Sequence, residues 1–184
     1  MSPWRCNSRT LSSSLRPLGV ADRVFVRDLS RRVFSHFGDY DQVLPEWLDG
    51  PGVWGFVALE SGAAVGFTML SLTGLPQGAG YLIPEGARPA ATPLALDLMA
   101  IAVQPEHQRA GAGRRLLESA IQEAEHLVAT DVWVLAVSLL VGEENQPARR
   151  LFEKLRFQPL PGRESYPNGQ KAVRMVRPVV GWSA

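Results

Sequence analysis

A ten-residue, nearly apolar run, Leu94–Val103, enters a glycine-containing turn and then an amphipathic helical pattern, and no other stretch limits the possible folds so strongly. The turn reads Gln104-Pro105-Glu106-His107-Gln108-Arg109-Ala110-Gly111-Ala112-Gly113-Arg114. A helix entered this way begins with N–H groups that have no intrahelical partner, and its positive dipole end attracts anions such as phosphate oxygens. Gly111 and Gly113 suit such a ligand, because a residue without Cβ lets it approach the backbone, but they equally suit tight packing of helix on strand. Arg109 and Arg114 add positive charge. In the helix, predicted from about Gly113 to His126, Leu116, Leu117, Ala120, Ile121, Ala124 and Leu127 form the buried stripe, and Glu118, Gln122 and Glu125 face solvent.

Around this unit the periodicities alternate between 2 and 3.6. A short strand, Leu15–Leu18, precedes a helix that Asp22 can cap and whose apolar positions are Val26, Leu29, Val33 and Phe37, ending at Gly38. Tyr40–Leu48 reads as a shorter helix or turn interrupted by Pro45. Val53–Leu59 and Ala63–Leu72 form a hairpin about Glu60-Ser61-Gly62, and Thr73–Pro93, rich in Gly and Pro, reads as a surface excursion. After the central unit come a buried strand (Val132–Val141), a helix (Gln146–Leu155) and a last strand (Lys171–Arg177). Such an order predicts an α/β chain of α+β type, with a mixed, mostly antiparallel sheet flanked by helices, whereas a doubly wound fold alternates β and α throughout.

With 184 residues, the chain suits one domain, residues 15–184, behind a flexible polar lead-in, residues 1–14. A hydrophobic content of 46% excludes wholesale disorder, and a net charge of +1 argues against a nucleic-acid partner held by phosphate neutralisation. The single cysteine, Cys6, forms neither an intramolecular disulfide nor a Cys-rich zinc site. No His/Asp/Glu spacing suggests a metal. The first twenty residues lack the apolar core of a secretory signal, and Val132–Val141 is about half the roughly 20 residues of a membrane-spanning helix. A cytoplasmic protein without a membrane partner is the expectation.

Two nucleotide-binding turns do not fit. A Walker A loop needs Lys after its last glycine, and a Rossmann turn needs a third glycine where Leu116 stands and a shorter distance from the strand than separates Val103 from Gly111. A degenerate Rossmann oxidoreductase is therefore disfavoured.

The turn Gln108-Arg109-Ala110-Gly111-Ala112-Gly113 resembles the signature of the GNAT superfamily of acyl-CoA-dependent N-acyltransferases: Gln or Arg, two residues, Gly, one residue, Gly or Ala. The strand end Ile101-Ala102-Val103-Gln104-Pro105 and the segment Asn145, Ala148 and Leu151-Phe152-Glu153-Lys154-Leu155-Arg156-Phe157 are similar to the family's as well, as is the opening Ser14–Leu18 with Asp22. The resemblance extends from about Leu15 to Arg177.

It implies a V-shaped splay at the strand ending at Val103, and acetyl-CoA as cosubstrate. The pantetheine arm would pair with Met99, Ile101, Ala102 and Val103, and the pyrophosphate would lie on Gln108, Arg109, Ala110, Gly111, Ala112, Gly113 and Arg114. Asn145 would contact the pantetheine arm or a bound water, or simply cap its helix. The implied reaction is acetyl transfer to a primary amine of a small molecule or peptide, and a homodimer is compatible with it. Ribosomal-protein N-terminal acetyltransferases of this family use a helix Tyr as acid and a strand Glu as base. Here Phe152 and Leu140 stand in those places, which keeps a non-catalytic CoA-binding or sensing module as the alternative.

Other residues are candidates for the missing acid and base. Asp97 shares strand parity with Met99 and Ile101, which turns it toward the cleft, unless it is a structural carboxylate. Tyr166, just before the last strand, either reaches the cleft or supports a turn. His107 reads as a surface loop residue, and His36 and His126 as helix residues. Phe37, Tyr40, Trp47 and Tyr81 are candidates for an acceptor pocket or for core filling. Arg23, Arg27 and Arg31 read as a solvated helix face.

Overall fold

The computed structural model describes residues 13–85 and 92–179. Cys6 and most of the expected lead-in lie outside them. β1 (Ser13–Pro17) begins two residues inside that expected lead-in, because Ser13 and Ser14 pair with Glu60 and Leu59 of β2 (Val53–Glu60). Then follow α1 (Arg23–Phe34), α2 (Tyr40–Trp47), β3 (Ala63–Gly74), β4 (Leu94–Val103), α3 (Ala112–Ala129), β5 (Val134–Gly142), α4 (Gln146–Lys154), β6 (Gln158–Pro159), β7 (Glu164–Ser165) and β8 (Lys171–Pro178). One sheet runs β1-β2-β3-β4-β5-β8-β6, with β7 also on β8. Every pair is antiparallel except β4 with β5.

Helices cover both faces. Val26 and Leu29 of α1 and Leu44 of α2 bury against Phe67, Met69, Ala100 and Ala102. Leu117, Ala120, Ile121 and Ala124 of α3, with Phe152 of α4, bury against Leu70, Leu98, Val137, Leu139 and Met175. Fully burying each of the larger side chains, Val, Leu, Ile, Phe or Met, is worth roughly 1.5–3 kcal/mol, so each stripe fixes which way its helix faces. α2 runs through Pro45 instead of breaking there. The proline removes one helical hydrogen bond, and burial of Leu44 and Pro45 holds the turn regardless.

Two irregularities open the sheet. β4 pairs with β5 only from Leu94↔Val134 to Leu98↔Leu139, after which β5 continues with β8 alone as far as Gly142. The strands therefore part beyond Leu98. At the same place β4 slips in register against β3: Leu70 pairs with Leu98 but Met69 with Ala100, leaving Met99 as an extra residue. A bulge of this kind interrupts the alternation of side chains.

Candidate active site

The bulge corrects the parity expected from the sequence. Asp97 and Met99 keep the face of α1 and α2, where Asp97 pairs with Ser71 and Met99 packs on the Phe67–Met69 cluster, but Ile101 has crossed to the α3 face. Alternation alone would have kept all three together, and only the extra residue at Met99 separates them.

A cavity of about 370 Å³ occupies the opening. Its floor is the strand ends, Leu98–Ile101 of β4 and Leu139–Leu140 of β5. Phe34 and Phe37 from the end of α1 and the loop after it, with Tyr40 and Trp47 of α2, form an aromatic wall, while Asn145, Ala148 and Phe152 close the α4 side. Asp97, Tyr166 and Arg174 are its ionisable members beside Tyr40. Phe37, Tyr40 and Trp47 line the cavity, Phe37 being also a buried core residue, whereas Tyr81 is 63% exposed and not part of it.

Asp97 Oδ1 accepts from Ser138 Oγ at 2.5 Å and from Arg174 Nη1 at 3.1 Å. Burial pushes its carboxyl above the usual carboxylate range, more than the Ser138 hydrogen bond and the Arg174 charge pull it down. Arg174 also donates through Nε and Nη2 to both oxygens of Glu164, each at 3.0 Å, a bidentate pair. Burial alone would lower the guanidinium's pKa; Glu164 and Asp97 raise it overall. Tyr166 donates its hydroxyl to the Leu140 carbonyl at 3.3 Å and lies 4.6 Å from the Phe37 ring, centroid to centroid. Burial, with Tyr40 nearby, pushes its phenol up to about 12, so it is a protonated donor at neutral pH.

Sequence reasoning missed Arg174 and Glu164 as site residues. The signal was present for Arg174: it shares strand parity with Ala172 and Val176, both buried, and an arginine on such a face needs an anionic partner.

The turn after β4 is built from left-handed residues. Arg109 has φ 66° and Gly111, the N-cap of α3, φ 90°. Left-handed residues one apart, ahead of a helix whose first N–H groups have no intrahelical partner, are the backbone setting in which anions are bound. A Cβ on Gly113 would lie 3.7 Å from Val103 Cγ2 and 3.8 Å from Leu151 Cδ2, ordinary contact distances. Packing therefore does not demand glycine there, and the space over the helix start fits an anionic group such as the pyrophosphate of acetyl-CoA. Gln108 Nε2 donates to the Val103 carbonyl at 3.2 Å, tying the turn to the strand end. Arg114 pairs with Glu118 at 2.7 Å on the helix surface. His107 is more than a surface loop residue: its Nδ1 lies 2.8 Å from Glu60 Oε2, and Glu60 Oε1 accepts from Arg115 at 3.3 Å.

Asn145 caps α4, its Oδ1 accepting from the Ala148 N–H at 3.2 Å, and it also lines the cavity. Phe152, 4% exposed, packs on Phe157 with ring centroids 5.9 Å apart. Among the described residues no cluster of three or more His, Cys, Asp or Glu is placed to hold a metal ion, and no helix is long and apolar enough to cross a membrane.

Solved structures share this architecture. Arabidopsis thaliana NAA60 in complex with a bisubstrate analogue superposes with a TM-score of 0.77 at 16% identity, over 93% of this chain and 100% of that one. The ribosomal-protein-S18-alanine N-acetyltransferase from Escherichia coli gives 0.70 at 22% identity, over 94% and 97%. The acetyl-CoA complex of yncA, a putative acetyltransferase from Salmonella typhimurium, gives 0.67 at 18% identity, over 94% and 96%. No curated protein sequence matches this one. At these identities the structural likeness speaks for the fold alone, but the sequence model of the Acetyltransferase (GNAT) family matches residues 23–157, well over half of the chain. The protein belongs to the GNAT acetyltransferase family.

Proposed function

We propose that the protein transfers an acetyl group from acetyl-CoA to a primary amine of a small molecule or peptide. One observation carries this reading: the parted end of β4, Met99–Val103, runs into the left-handed turn at the start of α3 beside an aromatic cavity with a partly buried carboxyl and a partly buried phenol. Acetyl-CoA supplies the acyl group in activated, thioester form. In this reading the backbone of Met99, Ile101, Ala102 and Val103 takes the pantetheine arm by strand addition. The N–H groups from Gln108 to Arg114 take the pyrophosphate, with Arg109 and Arg114 adding charge. Asn145 contributes its amide Nδ2, since Oδ1 is spent on the cap.

Asp97 orients the amine and accepts its proton, directly or through one water. Tyr166 protonates the departing sulfur, a task suited to a phenol that stays protonated at neutral pH. The same protein environment that raises Asp97 makes it a better base than an exposed carboxylate. A cytoplasmic location, consistent with the single cysteine, completes the proposal.

Calorimetry with acetyl-CoA, followed by thiol-release assays over a panel of amines, tests it. Saturable binding and amine-dependent thiol release are expected. Absence of binding overturns the reading. Binding without release across the panel favours the CoA-sensing alternative, which rests on Phe152 and Leu140 at the places of the family's acid and base.

A further inference from the structure

The acceptor end of the cavity has a charge arrangement that acetyl transfer alone does not require. Asp97 takes both of its hydrogen bonds, from Ser138 and Arg174, on Oδ1, and among the described residues Oδ2 has no partner. The side chain is only 20% exposed. Oδ2 is thus left to solvent on the cavity wall, and a cationic N–H donor that enters the cavity is the group that can pair with it.

Arg174 sets how much positive charge the place tolerates. Among the described residues that line the cavity, one carboxyl, Asp97, meets one guanidinium, Arg174, and Glu164 stands behind Arg174. With both carboxyls ionised, the three sum to one negative charge. One ammonium neutralises it, and a second on the same molecule meets the Arg174 guanidinium without a free carboxylate to pair with. The opposite wall is apolar and aromatic: Phe37 against Tyr166, Tyr40 with its ring centroid 5.8 Å from that of Phe34, and Trp47, which is 40% exposed. Such rings accept an apolar body and tolerate an ammonium over their faces.

Resting on the acetyl-transfer reading, we infer that the acceptor is a primary amine with a single positive charge next to a bulky apolar group. The ammonium binds Asp97 Oδ2, and the apolar group lies against Phe37, Tyr40 and Trp47. Polyamines and aminoglycosides, with their additional charges, are disfavoured. A free arylalkylamine and the N-terminus of an uncharged peptide that opens with an aromatic residue share this chemistry.

The test titrates protein saturated with CoA by calorimetry, using phenethylamine, the peptide Phe-Ala-Ala as its amide, spermidine and kanamycin, and measures thiol release from acetyl-CoA in parallel. Phenethylamine or the peptide is expected to bind at least about tenfold more tightly than spermidine or kanamycin, the discrimination a well-formed apolar pocket supplies. Whichever of the first two binds better identifies the source. Trp47→Ala is expected to weaken the preferred amine about tenfold while acetyl-CoA affinity is kept, which shows that the variant is folded. Equal or tighter binding of spermidine, binding of none of the four by CoA-loaded protein, or an unchanged affinity in Trp47→Ala overturns the inference. The expected binding order without thiol release leaves the inference standing and overturns the catalytic reading. Failure to bind CoA overturns both.

Discussion

Arg174 of β8 reaches past β5 and sets its Nη1 3.1 Å from Oδ1 of Asp97 on β4, so an ion pair joins the two sides of the sheet where main-chain pairing of β4 with β5 ends. Ser138, on the strand between them, donates to the same oxygen. The carboxylate is thereby fixed in direction, but burial still leaves its ionised form disfavoured relative to water.

That balance yields opposite signs for stability and rate. The native state binds the Asp97 proton more tightly than the unfolded chain does, so this group's contribution to stability is complete below the unfolded pKa and is lost as pH rises through the folded one. At pH 7.5 Asp97→Asn is therefore expected to leave Tm unchanged or higher, while the acetylation rate falls roughly 10²- to 10⁴-fold. Thermal denaturation and thiol release on the same preparation measure both. A lower Tm with a near-normal rate would assign Asp97 to structure.

Tyr166→Phe keeps the ring against Phe37 and removes the acidic hydrogen. The rate is expected to drop roughly 10²- to 10⁴-fold with little change in KM for acetyl-CoA, the pattern of a lost proton donor. The pH dependence of stability supplies a second readout. Because the folded phenol is raised to about 12 from about 10, the native state holds a proton that the unfolded state releases, and stability falls between those values. The Phe variant should lose that alkaline slope, and an unchanged denaturation profile from pH 9.5 to 11.5 would contradict the buried phenol.

The sequence carried the strand, turn and helix at Leu94–Ala129 because their periods are clean and one glycine, Gly111, is placed by a backbone demand. Gly111 needs its left-handed φ, and such a demand shows in a single residue. The same was not true of side-chain direction. Ile101 crosses the sheet because Met99 is bulged, and a bulge in the apolar run that follows Asp97 leaves no mark in its alternation. Nor does any local pattern announce that Arg174 meets Asp97, since 77 residues separate them and the pairing depends on the order of β4, β5 and β8 in the sheet. His107 was legible as a loop residue but not as a partner of Glu60, for the same reason of distance along the chain.

Glu60 should govern cosubstrate affinity without touching the chemistry. It ties His107 and Arg115, on either side of the left-handed turn, to the end of β2, and Arg115 Nε is already buried without a partner. Glu60→Ala frees the turn and strips Arg115 of its carboxylate, so the backbone N–H groups are less well preorganised. KM for acetyl-CoA is expected to rise about tenfold with kcat within about twofold, as for loss of uniform binding. A kcat effect as large as the KM effect would place Glu60 in the reaction instead.

The two glycines of the turn separate folding from binding most cleanly. At Gly111, φ is 90°, so Gly111→Ala forces a side chain into the left-handed region and is expected to cost about 1–2 kcal/mol of stability. At Gly113 the backbone is helical and a Cβ meets only ordinary contacts at 3.7 and 3.8 Å, so Gly113→Ala should stabilise the protein by about 0.5–1 kcal/mol through helix propensity alone. If the space over Gly113 exists for the pyrophosphate, the same added methyl obstructs its approach to the helix start, and Gly113→Glu adds a repelling charge. Gly113→Ala should therefore be more stable to urea yet bind acetyl-CoA more weakly, and Gly113→Glu should stay folded with binding abolished. Calorimetry and urea titration on the three variants decide the matter. Full acetyl-CoA affinity in Gly113→Glu would remove the pyrophosphate from this turn, because no negatively charged ligand approaches a helix start that already presents a carboxylate without losing affinity.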